Sequence, residues 1–179
     1  QTTISVAVAI VTIWVMYHQY KDNLSRKKFF MKAQMMDALV ELGEYTEGCF
    51  RYIQDSKMSS PSKPEGPMSV FKSSIEFLDK NSAPAVFELI RFYQIHNSRL
   101  VSYQRDDNLR EFAKILIDVI LLNHLVIRIW EFARDESDSI QNSNPTFDMM
   151  FYSLRNLIGI QKYMMNNNEY QYLVSIVRD

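Results

Sequence analysis

From Gln1 to Tyr20 the chain reads QTTISVAVAIVTIWVMYHQY, twenty residues without a Lys, Arg, Asp or Glu. Ile4 to Met16 is almost continuously apolar, and the hydroxyls of Ser5 and Thr12 can bond back to a helix backbone. Twenty helical residues extend about 30 Å, the hydrocarbon thickness of a bilayer. Trp14, Tyr17 and Tyr20 lie towards one end, where amphipathic rings favour the headgroup level. Lys21, Arg26, Lys27, Lys28 and Lys32 follow at once, opposed only by Asp22. This order predicts a single transmembrane helix over residues 1–20, a lipid bilayer as partner, and a cytoplasmic remainder. An apolar core helix would show the same run, whereas a signal peptide would carry its basic residues ahead of it. The chain opens on Gln1 rather than Met, which leaves room for residues or a further span before it.

Residues 21–179 are enough for one domain with a proper core. The segment 21–32 holds five basic residues and one acidic, a charge of +4, against −1 for the whole chain. The remainder is therefore −5, which argues against a duplex nucleic acid partner, since that needs a broad basic face. Cys49 is the single cysteine, so an intrachain disulfide and a cysteine metal site are both excluded.

The helical period continues past the span. Leu24, Met31, Met35, Leu39, Leu42, Tyr45, Cys49 and Ile53 recur at helical spacings opposite Asp37, Glu41, Glu44 and Glu47. This predicts a stalk helix over 21–55, with Gly43 or Gly48 marking a bend. The proline-rich 56–68 (from SKMSSPSKPEGP) predicts a mobile loop, and 69–179 a bundle. Ser69 is expected to cap a helix to Lys80, and Ser82 one to Gln104 with Pro84 in its first turn. A fourth runs from Asp106 to Arg134 and a fifth from Asn144-Pro145 to Met165. A break at Asn166–Asn168 precedes a last helix through Tyr170, Leu173 and Val177. The expected fold class is all-α: one transmembrane helix continuing into a cytoplasmic helical bundle of five or six helices.

The informative polar residues interrupt apolar seams. On the third helix Val86, Leu89 and Tyr93 lead to His96 and Asn97, flanked by Gln94 and Arg99. On the fourth, Leu116 and Ile120 lead to Asn123 and His124, with Arg128 beyond. Buried His and Asn cost free energy unless hydrogen-bonded, so the two interruptions mark either an internal polar network or an inward-facing ligand surface. With a turn near residue 105, His96 faces residue 115, and His124 lies roughly 13 Å further along. Asp37, Glu41 and Glu44 share one helical face, which is the pattern of a solvated surface. With four scattered glycines there is no phosphate loop or dinucleotide fingerprint. No metal or other cofactor is expected.

Arg91-Phe-Tyr-Gln-Ile-His96 has the outline R-x4-H and resembles the motif of HEPN-type ribonucleases. In those α-bundles Arg would stabilise phosphorane charge and His would act as general acid or base. Here Phe92 stands where that family usually has a polar residue, and a non-enzymatic role is expected. The overall layout, an apolar N-terminal helix plus a small helical domain with QIHNSR, resembles membrane effectors of bacterial type III CRISPR antiviral defence that sense cyclic oligoadenylate. That resemblance implies a single-pass protein of the bacterial inner membrane, a homo-oligomer, a cyclic tetra-adenylate ligand and perturbation of the membrane on binding. The ligand-binding residues it would then use are Gln94, His96, Asn97 and Arg99, with Asn123, His124 and Arg128. The alternative is a membrane scaffold subunit that docks a protein partner.

Overall fold

The computed structural model describes residues 2–55, 57–103, 109–141, 144–159 and 167–178. Six α-helices make up the described residues, and no strand occurs among them: α1 (Thr2–Gln54), α2 (Glu65–Ser74), α3 (Ala83–Ser102), α4 (Leu109–Ala133), α5 (Phe147–Gly159) and α6 (Asn167–Arg178). A 3-10 turn, Ile75–Phe77, extends α2.

Helix α1 runs 53 residues without interruption, about 80 Å at 1.5 Å per residue. Its two halves have different surroundings. From Met31 onward the expected stripe is buried: Met35, Leu39, Leu42, Cys49 and Phe50 are fully enclosed, and Tyr45 and Ile53 nearly so. Each such side chain contributes roughly 1.5–3 kcal/mol by leaving water. Asp37, Glu41 and Glu44 face solvent. From Val8 to Phe30 every side chain is exposed except the half-buried Leu24. The helix therefore leaves the bundle at Met31.

Among the described residues no helix is long and apolar enough to cross a membrane, which corrects the expectation of a transmembrane helix over 1–20 for that part of the run. Val8 to Met16 is nine residues, about 14 Å of helix against ~30 Å of hydrocarbon. The side chains of residues 2–7 lie outside the described residues.

Helix α4 is central, packing on α1, α3, α5 and α6. Being covered on several sides explains its near-continuous apolar sequence: Ile115, Leu116, Val119, Ile120, Leu122, Leu125, Val126 and Ile129 are all buried. Helix α2 lies against α1 and α3. It starts four residues before Ser69, because Pro67 sits in its first turn, where a missing N–H costs nothing. Ahead of α2, Pro64 is buried, and Pro61 lies close on α1, where a Cβ at Gly48 would come within 3.0 Å of its side chain. Gly48 thus allows this close approach and no bend, since α1 continues through it.

Ser82 does precede α3, but its hydroxyl makes no cap bond. It donates to Asp79 Oδ2 (3.1 Å) and accepts from the Ile140 amide (3.0 Å), tying the start of α3 to the loop after α4. Helix α5 begins at Phe147, later than Asn144-Pro145 suggests, because Thr146 is the cap: its Oγ1 accepts from the Met149 amide at 3.4 Å. The expected end of that helix at Met165, the α3–α4 turn near residue 105 and the start of the break at Asn166 fall outside the described residues. Asn167 and Asn168 belong to α6.

Candidate functional site

The α3–α4 hairpin brings the two polar groups together differently from the simple register. Arg99 Nη1 donates to both carboxylate oxygens of Asp118, at 2.7 and 2.9 Å, and Arg128 Nη2 donates to Glu88 at 2.8 Å. These two pairs centre the hairpin near residue 108, so His96 lies opposite residues 120–121 and only about 5 Å of helix rise separates it from the level of His124. The two histidines nevertheless serve different faces.

His96 points into the core. It is fully buried, meets Tyr45 of α1 edge-on with ring centroids 6.0 Å apart, and neither ring nitrogen has a hydrogen-bond partner among the described residues. Burial, with Arg99 nearby, pushes its pKa down to about 4. On α1, burial pushes the Cys49 thiol up to about 12, with Tyr45 opposing, so this cysteine stays protonated and unreactive. Gln94 and Arg99 are exposed and Asn97 half-buried, so the first expected group does not converge on one cavity. Arg99 is occupied by Asp118, whose carboxyl is pushed above its usual range by burial and only partly restored by the arginine. Arg91 is exposed while His96 is enclosed, so the R-x4-H pair does not present both side chains on one surface.

Asn123 is a structural tie. It donates to the Ser153 carbonyl of α5 (3.3 Å), and its Oδ1 lies 3.4 Å from Thr46 Oγ1 of α1, whose one proton goes mainly to the Gly43 carbonyl (2.7 Å), so buried polar atoms of three helices meet here.

His124 and Arg128 lie elsewhere, on a cleft of about 540 Å³. Helix α4 supplies one wall with His124, Ile127, Arg128 and Glu131, spaced so that all four share a face. The loop after α4 contributes Ser137, Ser139 and Gln141, and α5 contributes Asp148, Met149 and Tyr152. Its volume is in the range of small-molecule sites. The Arg128 side chain is 8% exposed and neutralised by Glu88. Glu131 and Asp148 make no ion pair with a described residue. His124 is 7% exposed and its Nε2 lacks a hydrogen-bond partner among the described residues. Burial, followed by the charge of Arg128, lowers its pKa, with Glu88 opposing, so the ring is neutral at pH 7. Among the described residues no group of three His, Cys, Asp or Glu side chains could hold a metal ion.

The loop that closes the cleft also grips α1. Lys32 pairs with Asp135 and lies 4.2 Å over the Phe132 ring. Asp135 adopts a φ of 60°, the left-handed conformation that turns the chain sharply after α4 and that Asp tolerates better than most residues. The cleft and the exit point of α1 are therefore built on one short segment.

Only two of the seven expected residues line this cleft. Glu131, Ser137, Ser139, Gln141, Asp148, Met149 and Tyr152 were not anticipated. One signal was available: His124, Arg128 and Glu131 repeat at helical spacing as the polar face of an otherwise apolar helix. Comparison with known proteins finds no matching family, no matching curated protein and no matching solved structure.

Proposed function

We propose that the protein is a membrane-anchored sensor and effector, in which the apolar end of α1 lodges in a bilayer and the bundle binds a small ligand in the α4–α5 cleft. One observation carries the reading: Val8, Ile10, Val11, Ile13, Trp14 and Met16 are each about 60% exposed or more, on every side of the helix. A core helix buries one stripe, and a helix apolar all round needs an apolar surrounding. Fully burying even four of these side chains is worth roughly 6–12 kcal/mol. Lys21, Arg26, Lys27 and Lys28 are all exposed just beyond, suited to anionic headgroups. Tyr17 and Tyr20 lie between the two segments, where aromatic rings favour the interface. The bundle stays at the surface, and a change at the cleft is passed to α1 through the loop that holds Lys32. The homo-oligomer, the cyclic oligoadenylate ligand and the antiviral role rest on the architectural resemblance alone.

Flotation of the full chain with liposomes tests the anchor. The chain is expected to float with vesicles, more completely when they contain anionic lipid, and Val11→Asp/Ile13→Asp is expected to leave it at the bottom of the gradient. Sedimentation of the unaltered chain away from both neutral and anionic vesicles would remove the proposal.

A further inference from the structure

We infer that the outer face of α1 between Arg26 and Glu44 pairs antiparallel with the same face of a second copy of this chain. Antiparallel copies point their apolar ends in opposite directions, so this pair is a form of the chain away from the bilayer. It differs from an oligomer within a membrane, whose copies would run parallel, and its test does not depend on the anchor.

The bundle covers one side of α1 and leaves the other bare. Opposite the buried Met31, Met35 and Leu42, a second stripe runs Arg26, Phe30, Ala33, Asp37, Val40 and Glu44, at alternating spacings of four and three. That is the spacing of a heptad seam, with Phe30, Asp37 and Glu44 at one core position and Arg26, Ala33 and Val40 at the other. Phe30 is 64% and Val40 48% exposed, and Phe29 beside them is 71% exposed. Arg26, Lys27, Asp37, Glu41 and Glu44 all face solvent and make no ion pair among the described residues.

Read backwards, the stripe is its own complement. With a two-fold axis beside residue 35, Arg26 meets Glu44 of the second copy, Phe30 meets Val40, and Ala33 meets Asp37, whose carboxylate has room to stay in water beside so small a side chain. This is the pairing of unlike core positions that antiparallel helices make, and the symmetry gives every contact twice. Along the flank Lys27 meets Glu41, again with opposite charge. The glycine is a separate observation. Phe29 meets Gly43, and nothing lies within 4 Å of a Cβ built there. A glycine inside a helix costs about 0.5–1 kcal/mol relative to Ala, and neither a bend nor a close contact within the chain requires this one. It leaves a notch of the kind an aromatic ring can fill. A parallel pair would instead set Arg26 on Arg26, Asp37 on Asp37 and Glu44 on Glu44, so charge fixes the direction. Arg26 and Lys27 are also the residues suited to anionic headgroups, so second copy and bilayer compete for the same side chains.

Sedimentation equilibrium of the full chain in a non-ionic detergent tests this, and a dimer is expected. Arg26→Glu/Lys27→Glu and Glu41→Lys/Glu44→Lys, all at exposed positions, are each expected to weaken the dimer by at least about tenfold, or ~1.4 kcal/mol, with helicity by circular dichroism unchanged. The chain carrying all four changes is expected to dimerise again, because its charges have only exchanged ends. Disulfide formation reads the direction: Phe30→Cys mixed with Val40→Cys is expected to cross-link, and neither variant alone, with Cys49 enclosed and out of reach. A monomer at every concentration up to ~0.1 mM overturns the interface, as does a dimer indifferent to both reversals. A fourfold variant that stays monomeric overturns the charge pairing, and Phe30→Cys cross-linking to itself overturns the antiparallel direction.

Discussion

Replacing His96 by Leu should stabilise the protein and remove a defined part of its acid sensitivity. In the folded chain His96 takes up a proton only near pH 4, against 6.5 for the ordinary side chain, because burial and then Arg99 oppose the charged form. Between those values the unfolded chain binds more protons than the folded one, so stability falls as pH falls. The contribution is fully present above pH 6.5 and fully lost below about 4. At 1.36 kcal/mol per pH unit the interval amounts to about 3 kcal/mol. Leu abolishes this contribution and removes two buried nitrogens without described partners, each orphan of a kind that costs about 1–3 kcal/mol. It also continues the apolar seam of Val86, Leu89 and Tyr93. Allowing for a small packing loss, His96→Leu should gain about 1–2 kcal/mol at pH 7 and roughly 4–5 kcal/mol at pH 4. Urea unfolding of both proteins at pH 4, 5, 6 and 7 reads this directly, since 1 kcal/mol moves the midpoint by about 0.5 M at a typical slope. His124 acts with the same sign but is common to both proteins and cancels in the difference. A variant that is less stable than its parent at pH 7, with an unchanged pH slope, would refute the reasoning: His96 would then be hydrogen-bonded in the native protein.

Two further substitutions probe the polar ties. Arg99→Ala strands the Asp118 carboxylate, whose side chain is 5% exposed, and should cost about 2 kcal/mol, between the values for exposed and enclosed pairs. Arg99→Ala/Asp118→Leu should recover most of that loss in the same urea titration, and a double variant no more stable than the single would refute the account. Asn123→Ala removes the link between Thr46 and the Ser153 carbonyl and opens space among three helices, so a loss of about 2 kcal/mol is expected. Thermal unfolding measures it, and a change within 0.5 kcal/mol, the scale of an ordinary surface substitution, would show that Asn123 is no such tie.

The helices were legible where one face alone decides the matter. The stripe from Met31 to Ile53 repeats at helical spacing and buries along one side, so its period is written in the residue order. Starts and caps were less legible. Ser69, Ser82 and Asn144 are all suitable cap residues in isolation. Yet the chain uses Pro67 inside a first turn, spends the Ser82 hydroxyl on Asp79 and Ile140, and caps α5 with Thr146. Those choices depend on partners distant in sequence. The candidate site divides in the same way. His124 and Arg128 could be singled out because polar residues break an apolar helix there. Asp148 and Tyr152 look like ordinary surface residues until α5 folds back on α4, and the Arg99–Asp118 pair emerges only once the hairpin register is known. The apolar run at the N-terminus was plain, and what remained open was whether the bundle would cover it. Between Val8 and Met16 the bundle does not.

The exit of α1 at Met31 has a mechanical consequence. Residues 8–30 form a rod about 34 Å long, with no Pro or Gly to hinge it, clamped at its root by Lys32 to Asp135 and Phe132. A rod fixed at one end multiplies angles: a tilt of only about 5° at the clamp sweeps the far end through ~3 Å. A shift of Asp135 too slight to disturb the packing of α4 would therefore become, at the tip, a displacement the width of a methyl group or more. In such a lever the gain is set by length, and shortening residues 8–30 by two helical turns would cut the stroke by about a third.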